Sequence, residues 1–222
     1  MFLKRSDDPE ILDDISIQDE RVDYALKELK IINSLLGGNG VSRKGIKIFY
    51  NQSGTLNILD IGCGASDILI QIKKKFKNLN IYGLDINLRA CVYLKKHSSD
   101  IRVVCGDVLT FPFEAPFDII HASLFFHHFK EEEIKRIIIT LLKSCNRGIV
   151  INDLRRSIFA WTGIKILTML YSKSREVRND GPLSVKRGFI KKDWSDILDC
   201  VAPGKYEMKR RWAFRWLVVI YK

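Results

Sequence analysis

Asp60, Asp85 and Asp107 each close a short apolar run, Leu56–Leu59, Asn80–Leu84 and Ile101–Cys105, so each is expected at the carboxyl end of a strand. Acids at the same end of neighbouring strands can bind one ligand laid along the sheet edge, where open α/β folds bind ligands. A ligand bearing positive charge suits carboxylates better than one bearing phosphate. A second cluster is Phe125-Phe126-His127-His128-Phe129. A histidine with a near-neutral pKa in an aromatic pocket can take a proton from a phenol or similar acid, so His127 and His128 are the candidate general bases. Anchoring of that loop by one of the pair is the alternative.

These residues need elements to hold them. Leu56–Asp60, then Gly62-Cys63-Gly64, then the helical spacing of Ile68, Leu69, Ile72 and Phe76 reads as strand, tight turn, helix. Glycine at 62 and 64 permits positive φ and lets a ligand touch the backbone, and Ser66 or Asp67 can cap the helix. A dinucleotide fingerprint wants a third glycine where Asp67 stands, and an acid there repels pyrophosphate. Asp85 lies about 20 residues past the turn, where a nucleotide-binding fold holds ribose hydroxyls; capping of a helix over 88–96 by Asp85 or Asn87 is compatible with that. Further on, the spacing predicts a strand over 117–124, an amphipathic helix over 131–144, and a strand over 148–151. Asn152 and Asp153 then either face a substrate or cap a helix. An apolar helix over 158–171, a basic turn over 174–182, a helix over 191–201 and a closing hairpin over 206–221 follow. At the N-terminus, an acidic segment 1–18 that wraps the surface precedes a helix over 19–36, which Gly37-Gly38-Asn39-Gly40 ends. Residues 45–53 are expected as a strand or loop.

Asp60, Gly62 and Gly64 resemble motif I of the class I S-adenosylmethionine-dependent methyltransferases, with Ser66 in place of the last glycine. Asp85 matches motif II, and Asp107 the acid that in this family accepts from the adenine amino group. The resemblance runs from about residue 50 to 222 and is strongest over 56–129. It implies an α/β, Rossmann-like seven-stranded mainly parallel sheet with an antiparallel last strand, helices on both faces and a helical cap. The expected division is a cap over 1–45 and a methyltransferase domain over 46–222, with residues 155–190 inserted over the substrate. The implied cofactor is S-adenosyl-L-methionine, held by Asp60, Gly62, Cys63, Gly64, Asp85, Ile86, Asp107, Val108 and Ser123. Small-molecule members, including the ubiquinone and menaquinone group, resemble the stretch Ser123–Phe129, and no N/D-P-P-Y-like tetrapeptide of the amide- and amine-alkylating members follows the fourth strand. Arg175 and Trp161 are the candidate substrate residues. The implied acceptor is a hydrophobic small molecule, phenolic, polyketide or quinol-like, methylated on oxygen or carbon. Neither a metal nor a His/Asp cluster of ligand spacing is expected.

Composition narrows the class. The 222 residues are 46% hydrophobic, enough for one domain with a substantial core. Five cysteines, none in a C-x-x-C pair, point to a reduced cytoplasmic protein rather than a disulfide or zinc scaffold. The start lacks the apolar core of a signal peptide, and the apolar run over 158–171 falls short of the roughly 20 residues that span a bilayer. Charge is uneven: residues 1–36 carry nine acids and five bases, residues 155–192 ten bases and two acids. That basic segment could meet an anionic membrane face, placing the protein peripherally at its inner side, or RNA, which makes an RNA methyltransferase the rival enzyme. The missing tetrapeptide and the lack of an appended RNA-binding domain set nucleic acid aside, and intact acids at 60, 85 and 107 argue against a non-catalytic partner protein of the same fold. A monomer or homodimer is expected.

Overall fold

A computed structural model of the chain describes residues 4–51 and 54–222; the expectations touching residues 1–3 and 52–53 lie outside the described residues. Apolar runs form the sheet. Its strands are β1 (Leu56–Ile61), β2 (Leu79–Asp85), β3 (Ile101–Cys105), β4 (Phe117–Ser123), β5 (Cys145–Leu154), β6 (Tyr206–Arg211) and β7 (Arg215–Tyr221), in the order β3-β2-β1-β4-β5-β7-β6. Only β7 runs antiparallel to its neighbours, so the sheet is the mainly parallel one with a reversed last strand. The order reverses between β1 and β4, and in open α/β sheets ligands bind in the crevice at that switch point.

Helices cover both faces, as strands that are apolar on both sides require. On one face α5 (Glu131–Lys143) and α8 (Lys191–Val201) bury Ile134, Ile138, Leu141, Trp194 and Leu198. On the other, α2 (Gly38–Phe49) and α3 (Asp67–Lys73) bury Val41, Ile46, Ile68, Leu69 and Ile72. Each such side chain contributes roughly 1.5–3 kcal/mol through burial. Helix α4 (Leu88–His97) starts at Asn87, whose side chain accepts from the Ala90 N–H. Asn87 therefore caps, and Asp85 is released for the cleft.

Two expectations are corrected. The glycine run ends α1 (Glu20–Leu35) but also begins α2, so residues 38–49 are helical rather than strand or loop. Glycine serves close packing here: a Cβ on Gly45 would lie 2.4 Å from Val150 Cγ1, which lets α2 press onto β5. The basic turn over 174–182 is instead the first half of α7 (Arg175–Arg187), with Pro182 inside it. A proline costs a helix about 3 kcal/mol; buried Val177, Pro182 and Val185 offset that by packing. A Cβ on Gly181 would sit 3.3 Å from Ile164 and Thr168 of α6 (Ile158–Tyr171), so this glycine too marks a contact between helices.

The N-terminal segment does run over the surface. Arg5 donates to the carbonyls of His127, Phe129 and Arg187. The N–H groups of Ile11 and Leu12, in a 3-10 turn at Ile11–Asp13, donate to the Asp180 carboxylate. This strap fastens to α7 and passes over the carboxyl edge of the sheet. Among the described residues no helix is long and apolar enough to cross a membrane.

Candidate active site

The turn after β1 is built on left-handed backbone: Gly62 at φ 58°, Gly64 at φ 48° and Ser66 at φ 47°. A Cβ on Gly62 would lie 2.3 Å from the Phe125 ring, so glycine is what lets β1 and the loop after β4 approach. Asp85 braces the turn. Its Oδ2 accepts from the Gly64 N–H at 2.7 Å and its Oδ1 from the Asn87 N–H at 2.9 Å. A carboxylate has about four lone-pair sites, which leaves capacity for ligand hydroxyls. Burial pushes the Asp85 carboxyl above its ordinary pKa, against the two backbone hydrogen bonds.

Three cavities meet over this edge. The largest, about 480 Å³, is walled by Gly62, Asp85, Ile86, Asp107, Val108, Phe125, His128 and, from the strap, Leu12 and Asp13. A neighbour of about 200 Å³ is walled by Asp60, Gly62, Cys63, Gly64 and Ser123. Together they bring all nine residues expected to hold a cofactor onto one cleft. The third cavity, about 330 Å³ and apolar, is lined by Leu36, Phe159, Ile164, Leu167, Trp212 and Phe214 among others, with Arg215 in its wall. Leu124 borders all three. It holds φ 55°, a conformation that strains a bulky side chain and that collects at functional sites.

Asp60 lies deeper than its expected role requires. Its Oδ2 accepts from Ser66 Oγ at 2.7 Å and its Oδ1 lies 2.6 Å from His121 Nδ1. The ring of His121 reaches Ser42 Oγ through Nε2 at 2.9 Å, and Asn152 donates to the same hydroxyl. Ser66 thus serves Asp60 rather than capping α3, and Asp67 pairs with Lys30 at 2.7 Å. Sequence reasoning missed His121. The signal was a lone imidazole in an apolar strand, in direct register with Asp60 on β1.

The two histidines part company. His127 is buried, its Nδ1 2.7 Å from Asp153 Oδ1, and it does not line the cleft. His128 does, with Nδ1 2.6 Å from Asp13 Oδ1. Burial alone would lower the His128 pKa, but the hydrogen bond to Asp13 and the charges of Glu10 and Asp13 outweigh it and leave it raised. The loop carrying both is held by Arg187, which donates to the carbonyls of His127 and His128 and pairs with Asp13 at 2.7 Å. Asp153 and Asn152 are fully buried, and Asp153 holds the first N–H groups of a 3-10 turn at Phe126–His128. Asp153 accepts from the N–H groups of Phe126 and His127, while Asn152 accepts from Arg215 and donates to the Gly38 carbonyl.

The expected substrate residues are not in the cavities. Arg175 opens α7 on the exposed surface, and Trp161 packs between Lys165 and Lys186. The guanidinium that does face the apolar cavity is Arg215. Its terminal nitrogens donate to Asn33 and Asn152, its Nε is buried without a partner among the described residues, and burial pushes its pKa down to about 10. Glu10, His127 and His128, which no expectation grouped, bring one ligand atom each within 4.8 Å of one another. Glu10, Asp13, Arg187 and Arg215 carry no local sequence signal, because long-range folding alone assembles them.

Residues 58–148 match a family model described as a methyltransferase domain. An uncharacterized methyltransferase of Staphylococcus carnosus is 29% identical over 115 residues, 48% of this chain and 54% of the relative; the match spans about half the length of that curated relative. Among solved structures, the plantazolicin methyltransferase BpumL in complex with S-adenosylhomocysteine superposes with a TM-score of 0.69 at 16% identity, covering 96% of this chain and 98% of that one. Human N-acetylserotonin methyltransferase in complex with S-adenosylmethionine gives 0.64 at 16% identity, covering 91% and 56%. The magnesium protoporphyrin IX methyltransferase of Synechocystis gives 0.52 at 15% identity, covering 89% and 82%. At these identities the likeness is one of fold.

Proposed function

We propose, from the match of residues 58–148 to a methyltransferase domain model, that the protein transfers the methyl group of S-adenosyl-L-methionine to a hydrophobic small molecule, phenolic, polyketide or quinol-like. The observation that carries this reading is the junction at Leu124, where a cleft lined by Asp60, Asp85 and Asp107 meets an apolar cavity with a single arginine among its lining residues.

The cofactor cleft fits the group it would hold. Its acids suit the sulfonium and ammonium charges, Gly62 and Gly64 leave room for the ligand beside the backbone, Asp85 keeps acceptor capacity for ribose hydroxyls, and Asp107 with the Val108 amide would meet adenine. Bound there, the cofactor supplies a methyl already activated on sulfur. What remains for the chain is to align an acceptor, exclude water and remove a proton. Phe159, Leu167 and Trp212 bury the apolar body, and the unpartnered Arg215 Nε offers a hydrogen bond to an acceptor oxygen. His128, in the wall of the cleft, would take the proton of the acceptor as it is methylated. With Asp13 at Nδ1, the lone pair available is at Nε2.

Calorimetric titration with S-adenosylmethionine, S-adenosylhomocysteine and NAD tests the class; micromolar binding of the first two and none of NAD is expected, and silence toward the first two overturns it. The Arg215→Met variant then tests the acceptor side. It should keep cofactor affinity and lose phenolic acceptors, and unchanged acceptor KM would remove Arg215 from the reading.

A further inference from the structure

We propose that Glu10, His127 and His128 form a binding site for a divalent transition metal of the Zn2+ type. One ligand atom from each lies within 4.8 Å of the others, and His127 Nε2 is 3.6 Å from Glu10 Oε1. Around tetrahedral Zn2+, with bonds of roughly 2.0–2.1 Å, ligand atoms stand about 3.3 Å apart. One pair is nearly at that spacing, and the widest closes by an inward movement of about 1.5 Å.

The surroundings argue for a built site. Metal-binding histidines almost always give their other ring N–H to a carboxylate or carbonyl, which fixes the tautomer and aims the free nitrogen. Both rings have that partner, His127 Nδ1 at 2.7 Å from Asp153 and His128 Nδ1 at 2.6 Å from Asp13, so Nε2 is the nitrogen left on each. Asp153 is itself held by the N–H groups of Phe126, His127 and Leu154, and Ser184 donates to Glu10 Oε1 at 2.9 Å. Three carboxylates, Glu10, Asp13 and Asp153, supply negative charge. Arg187, 4.0 Å from Glu10 and paired with Asp13, and Arg5, on the His127 carbonyl, offset part of it and weaken the affinity. Two imidazoles and one carboxylate suit Zn2+, Co2+ or Fe2+. A metal there takes the same His128 nitrogen that would accept the substrate proton, so loading switches that base off.

This inference is independent of methyl transfer, since its readout needs neither cofactor nor acceptor. Co2+ titrated into the full chain should bind one equivalent, with the absorption of nitrogen and oxygen ligation and no thiolate charge-transfer band. Glu10→Gln and His128→Gln should each weaken binding about tenfold or more with the folded circular-dichroism spectrum retained, while replacing the exposed Cys105 and Cys200 by serine changes nothing. Absence of Co2+ and Zn2+ binding, binding that survives both Glu10→Gln and His128→Gln, or binding lost in the cysteine variant would overturn the site.

Discussion

Asp85→Asn is the sharpest perturbation of the cleft, because the substitution keeps the shape and breaks the pairing. The two carboxylate oxygens take two backbone donors, Gly64 N–H at 2.7 Å and Asn87 N–H at 2.9 Å. An amide has one oxygen, so its NH2 must face the other N–H. Leaving one such donor unpaired costs about 1–3 kcal/mol. The glycine turn can relax around the amide in the free protein and has to be restored when cofactor binds. The cost therefore falls on binding, and S-adenosylmethionine affinity should drop about 5- to 150-fold. Calorimetry reads the affinity and thermal melting shows that the fold persists. The pH dependence supplies an internal control. Burial raises the Asp85 carboxyl in the free protein, whereas ribose hydroxyls favour the ionised form. As pH falls through that raised value, binding must expel a proton, so affinity falls with acidification, beginning above the ordinary aspartate value of about 3.9. The asparagine variant should show no such fall. Wild-type affinity in Asp85→Asn, or an acid limb that persists in it, would refute the reasoning.

His128→Ala should retain cofactor affinity while turnover falls by about 10²–10⁴; equal turnover would move the base elsewhere. Gly45→Ala should lower stability by up to about 2 kcal/mol, since overpacking against Val150 Cγ1 at 2.4 Å costs roughly 1–3 kcal/mol and better helix propensity returns about 1, as denaturant midpoints would show. Leu124→Gly should relieve about 1–2 kcal/mol of left-handed strain, in part offset by lost packing, so stability changes little while kcat/KM falls because the wall shared by three cavities is gone. Unchanged kcat/KM would make Leu124 a bystander.

Sequence and structure agree most closely where chemistry and chain position coincide. Each of the acids at 60, 85 and 107 sits at or just past the end of an apolar run, so strand end and cleft-lining residue were legible together. Helices α2 and α7 were not, because Gly45, Gly181 and Pro182 read as breakers while in the fold the two glycines are points of close contact and the proline is buried. His121 was hidden by lying inside a strand, where only the β1–β4 register shows it facing Asp60. Arg175 was chosen for its place in a basic segment, yet the cavity takes its guanidinium from Arg215 on the last strand. Residue type and neighbourhood in the chain cannot reveal that exchange; it follows from β7 inserting between β5 and β6.

The strap also sets an order of assembly. Arg5 binds the carbonyl of Arg187 across 182 positions of chain, and Asp13 reaches His128 across 115. During synthesis the amino-terminal segment emerges first, yet its partners on α7 and around His128 appear only after most of the sheet has been made. The glycine turn after β1 can therefore mature early, while the contact of Asp13 with His128 forms late. On the proposed function, a nascent chain completes its methyl-donor turn before its proton acceptor is oriented, and the strap acts as a late checkpoint on competence.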